Sequence, residues 1–106
     1  MEKKRVIYIA GPITGVDEYW KPFEEADDQL TARGYAVLNP ATLPQGMEEI
    51  HYARLCLCML QEADAVLFLP GWRNSMGASY EFILSAHYKK PAYADIETLC
   101  KEVPAR

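Results

Sequence analysis

The sequence predicts a doubly wound α/β domain, a parallel sheet of about four or five strands with helices on both faces in three layers. Three observations predict it. Strand-like and helix-like segments alternate along the chain. The run Ala65-Val66-Leu67-Phe68-Leu69 is apolar at every position, which marks a strand covered on both faces. Parallel neighbours need helical crossovers, right-handed in nearly all cases, and the segments between the strands supply them.

Val6-Ile7-Tyr8-Ile9-Ala10 is β-branched and apolar and stops at Gly11-Pro12, so it reads as a buried first strand. Trp20, Phe23, Ala26 and Leu30 recur at near-helical spacing. Pro22 suits the first turn of that helix and Gly34 the position just past its end. Residues 35–38 form the second strand, closed by Asn39-Pro40. After a loop holding Pro44 and Gly46, the residues Met47, Ile50, Leu57 and Leu60, with Ala53 between them, form a stripe on the second helix that is expected to be core. Residues 65–69 are the third strand, stopped by Pro70-Gly71. The third helix spans 77–88 and ends at Lys89-Lys90-Pro91; a short strand follows over 91–94, and Asp95 caps a last helix. The expected strand order is 2-1-3-4, which opens a ligand crevice at the carboxyl ends of strands one and three. The loops at 11–17 and 71–77 are therefore the ones to hold a site.

One domain over residues 1–106 is expected, since the chain is at the short end of the roughly 100–200 residues that a domain takes. Fifteen acidic residues against eleven basic ones leave a net charge of -4, so no overall basic field draws in a nucleic-acid polymer or an anionic membrane. No apolar run approaches the roughly 18 residues that span a bilayer. The charged start, Met1 to Arg5, lacks the apolar stretch of a signal peptide. These features point to a cytoplasmic protein with a small-molecule ligand. Cys56, Cys58 and Cys100 are odd in number, and the first two point in different directions on a helix, so free structural thiols are expected rather than disulfides. His51 and His87 lie far apart, no pair of ligands has a zinc-like spacing, and no metal or other cofactor is expected.

The first loop, Gly11-Pro12-Ile13-Thr14-Gly15, allows close backbone approach to a ligand or simply turns the chain; it is neither a dinucleotide fingerprint nor a P-loop. The second loop leads from Gly71-Trp72-Arg73 through Ser75-Met76-Gly77 to Glu81. A helix beginning there offers free N–H groups and positive partial charge to an anion near Ser75 and Gly77. The plainer reading makes Ser75 an N-cap and Glu81 a favourable charge near the positive end of the dipole. Asp64 reads as a helix-to-strand boundary residue or as a site residue. The acidic cluster Glu24, Glu25, Asp27 and Asp28 reads as a solvated helix face. Trp20 and Trp72 either stack on a nucleobase or belong to the core.

Tyr8-Ile9-Ala10-Gly11-Pro12, Asn39-Pro40-Ala41, Asp64, and Ser75-x-Gly77-x-x-x-Glu81 together resemble the nucleoside 2-deoxyribosyltransferase superfamily, most closely its small branch labelled DUF4406. The resemblance implies cleavage or transfer of an N-glycosidic bond to deoxyribose. It implies Glu81 as the nucleophile that attacks C1′ and Tyr8 as the residue that holds it, in the manner of a retaining glycosidase. Gly11, Pro12, Ser75, Gly77, Asp64 and Trp72 are the expected substrate contacts.

Two positions depart from the pattern. Ser75 stands where the transferases usually carry Asp, as in the deoxynucleoside monophosphate N-glycosidases the chain is similar to; a hydroxyl can donate to a phosphate that a carboxylate would repel, which favours a 5′-monophosphate substrate. Cys56 stands where relatives often carry the Asp that protonates the departing base. A catalytically weak nucleotide-binding module of the same fold is the alternative reading. A crevice in so small a sheet is shallow, whereas shielding a sugar cation from water requires walls, so a homo-oligomer, a dimer by the commonness of two-fold symmetry, is expected to close it.

Overall fold

A computed structural model describes residues 3–106. In chain order the elements are β1 (Val6–Ala10), α1 (Trp20–Ala32), β2 (Ala36–Leu38), a 3-10 turn (Pro40–Thr42), α2 (Glu49–Glu62), β3 (Ala65–Phe68), a second 3-10 turn (Trp72–Asn74), α3 (Met76–His87), β4 (Ala92–Tyr93) and α4 (Ile96–Glu102). All strand pairs are parallel and the order is β2-β1-β3-β4, as the alternation predicts. Among the described residues no helix is long and apolar enough to cross a membrane.

Strand alternation divides the core into two layers. Ile7, Ile9 and Leu67 face Phe23, Ala26 and Leu30 of α1 and Leu99 of α4. Tyr8, Ala10, Val66 and Phe68 face the other way, toward Leu60, Cys56 and Met59 of α2 and Leu84 of α3. Tyr8 thus belongs to the layer that α2 and α3 cover, and this sets the position of the site.

Helix α1 ends as its glycine requires. Gly34 takes φ +96°, its N–H donates to the Thr31 carbonyl (3.0 Å), and the Tyr35 N–H donates to the Leu30 carbonyl (3.1 Å), a Schellman closure. Because Tyr35 is used in that closure, β2 begins at Ala36 rather than at the expected 35. Helix α3 starts at Met76, since the Ser75 side chain is its N-cap and accepts from the Ala78 N–H (3.2 Å). Asp95 caps α4, accepting from the Thr98 N–H at 2.8 Å.

The expected core stripe of α2 is corrected. Leu60 is buried, Leu57 and Met47 are half-buried, Ile50 is 47% exposed, and Ala53 is exposed. The face turned to the sheet runs instead through Cys56, Met59 and Leu60. Helix α2 carries apolar residues on nearly every side, so helical periodicity alone cannot select which of them meets Tyr8 and Val66.

Candidate active site

The site is built on three elements that share the Tyr8 layer. Tyr8 is fully buried in the middle of β1, and its hydroxyl donates to Oε2 of Glu81, from the second turn of α3. The Cys56 thiol of α2 borders the same hydroxyl. Burial pushes the Glu81 carboxyl up from its ordinary 4.5 to about 7, against the lowering effect of the Tyr8 hydrogen bond. Desolvation is therefore the larger influence on Glu81, whatever favour its place near the positive end of the α3 dipole gives the charged form. Burial, with the nearby Glu81 charge, also raises the Tyr8 phenol far above its usual range, and burial raises the Cys56 thiol. At neutral pH the cluster consists of one carboxylate poised between its two states and two neutral hydrogen-bonding groups.

The two crevice loops meet each other. A Cβ on Gly71, which has φ +86°, would sit 3.5 Å from Pro12 Cγ. A Cβ on Gly11 would lie 3.0 Å from Leu69 Cβ and 3.3 Å from Phe23 Cζ, so any side chain there presses on the core. Gly11→Ala is expected to destabilise the fold by about 1–3 kcal/mol through overpacking, read as a lower denaturant midpoint with unchanged slope. Gly77 is different. It is exposed in the first turn of α3, with nothing within 4 Å of a Cβ placed there, so no packing in this chain demands a glycine. Ser75 is occupied as the α3 cap, and its hydroxyl proton remains free to donate.

Trp72 is a packing residue. Its ring stacks on Phe82 (centroids 4.7 Å apart, interplanar 26°) and leans on Phe68 (5.1 Å), and the Arg73 guanidinium lies over it at 4.9 Å. Phe82 escaped the sequence reading because α3 is apolar on several sides. Arg73 was legible only as a cation in a turn, yet it brings a positive charge to the loop that precedes α3.

Asp64 is not brought to the site. Its carboxylate accepts from the Val6 N–H at 2.8 Å, at the amino end of the sheet, opposite the crevice; it holds the start of β1, the boundary role. Trp20 is likewise elsewhere. It lines a cavity of about 620 Å³ between α1 and the 3-10 turn at Pro40–Thr42, with Asp27 and Asn39, and that cavity contains none of Tyr8, Cys56 or Glu81. Asn39 explains its own motif: its Nδ2 donates to Asp27 (3.0 Å) and its Oδ1 accepts from the Ala41 N–H (2.9 Å). Asp27 is thus partly drawn in, while Glu24, Glu25 and Asp28 are a solvated face. The described residues contain no group of three or more His, Cys, Asp or Glu placed to hold a metal ion.

A doubly wound sheet with a buried phenol holding a desolvated carboxylate at its switch point defines the class. Residues 5–94 match the family model described as "Domain of unknown function (DUF4406)", and the chain belongs to that family. A search of curated protein sequences finds no match. Ten solved chains are similar in structure. One is "2-desoxiribosyltransferase from Leishmania mexicana", with a TM-score of 0.68 and 17% identity over 83% of this chain and 61% of that one. The chain therefore has the nucleoside 2-deoxyribosyltransferase-like fold and spans less than two thirds of that neighbour's length.

Proposed function

We propose that the protein cleaves the N-glycosidic bond of a deoxynucleotide or deoxynucleoside, with Glu81 as nucleophile. The observation that carries this reading is the Tyr8–Glu81 pair, a half-buried carboxylate aimed by a buried phenol. An ionised Glu81 oxygen attacks C1′ as the base departs, giving a glycosyl ester; water or a second base then displaces the carboxylate. The Tyr8 hydroxyl stays on one carboxylate oxygen and leaves the other to react. The open space at Gly77, the α3 N–H groups, the Ser75 hydroxyl and Arg73 suit a 5′-phosphate. Purified protein incubated with each deoxynucleoside and its monophosphate should release free base, detected by chromatography, with the monophosphates preferred. No release from any of them, with a ligand-induced rise in melting temperature, would establish the binding-module reading instead.

The working unit is a homodimer. On α3, Met76, Tyr80 and Ile83 are 90%, 62% and 64% exposed at helical spacing, and the one carboxylate of that helix, Glu81, turns inward. Such an uncharged face suits a second copy of itself, and it borders the crevice that needs a wall. The double variant Tyr80→Lys, Ile83→Glu is expected to be a monomer by light scattering and to lose most base release. A wild-type protein monomeric at assay concentration would refute the dimer.

A further inference from the structure

We propose that the preferred substrates are N-glycosides whose base carries a positive charge before cleavage, such as an N7-alkylated purine or a pyridinium. The inference rests on the glycosidase reading of Glu81. It follows from what surrounds that residue. Cleaving a neutral N-glycoside leaves the bonding pair on a nitrogen that must be protonated as it departs, and enzymes ordinarily supply a second carboxyl for this. Among the described residues, Glu81 accepts from the Tyr8 hydroxyl, Cys56 packs in the same layer, and no second carboxyl bears on the three. The buried phenol already donates its proton to Glu81 and the half-buried thiol holds its own more tightly than a free one, so neither is a competent acid. The other carboxylates of the first loop are Asp17 and Glu18, both exposed, and Glu18 is paired with Lys21 at 2.8 Å.

A cationic base removes the requirement. The C1′–N bond breaks, its electron pair neutralises the charge on the base, and the base departs neutral with no proton transferred. Glu81 forms the C1′–O bond. Water then attacks C1′, the Glu81–C1′ bond breaks and restores the carboxylate, and the proton of the water passes to solvent. The sum is cationic N-glycoside plus water giving neutral base, free deoxyribose product and one proton.

The test compares kcat/KM of the full chain for deoxyguanosine monophosphate and its N7-methyl derivative, with the spontaneous loss of base from the latter subtracted. The expected kcat/KM is at least about 100-fold higher for the methylated substrate, the size of a missing general acid on the unmethylated one, and both values should depend on the Glu81 carboxylate. Cys56→Asp, checked for folding by its melting curve, should raise release from the unmethylated nucleotide about tenfold or more relative to the methylated one. Equal Glu81-dependent release from both substrates would overturn the inference while leaving the glycosidase reading intact. Release from neither above the uncatalysed rate would overturn both.

Discussion

Glu81→Gln is expected to lower base release by on the order of 1,000-fold or more, with little change in substrate binding. The amide is nearly the same size as the carboxyl, and its oxygen can still accept from the Tyr8 hydroxyl, so the geometry at β1 and α3 should persist. What is lost is the negative oxygen that bonds C1′. The loss corresponds to at least about 4 kcal/mol of transition-state stabilisation, and it should fall on kcat rather than KM because the attacking electron pair matters only as the bond forms. The wild-type rate should rise with pH toward a plateau above about 7, where Glu81 is ionised. The residual rate of the variant should not show that limb. Release that survives Glu81→Gln unchanged would remove Glu81 from the chemistry.

The fold was legible because each strand is a short apolar run bounded by Gly or Pro, and β3 is apolar on both faces, as a central parallel strand must be. Legibility ended where partners lie far apart in sequence. Alternation placed Tyr8 on the same face as Ala10, but nothing local shows that this face meets Glu81, 73 residues away. The same limit applies to α2, where the sheet, and no helical period, selects Cys56 and Leu60 over Ile50. Asp64 shows the converse. A carboxylate next to a strand is equally compatible with a site and with a boundary, and only the 2.8 Å bond to Val6 separates the two. Gly11 and Gly77 look alike in sequence; one is crowded by Leu69 and Phe23 and the other has nothing within 4 Å of a Cβ placed there.

The same Glu81→Gln variant is expected to be more stable than the wild type above neutral pH. The folded-state carboxyl binds its proton more tightly than the unfolded one, with titration moved from about 4.5 to about 7. Between those values the folded state holds more protons than the unfolded state, so the wild type loses stability as pH rises through the window and regains it as pH falls. The full displacement amounts to about 3 kcal/mol, and partial contact with water at the crevice brings the expected penalty to about 1–3 kcal/mol at pH 8. A neutral amide escapes it. At pH 8 the variant should therefore melt several degrees higher, at about 4–8 °C for each kcal/mol in a domain of this size, and at pH 4 the two proteins should converge. Calorimetry across pH 4–8 checks this. A variant no more stable at pH 8 would mean that Glu81 is not kept at a cost to folding, and the desolvation that makes it a reactive nucleophile would then be absent as well.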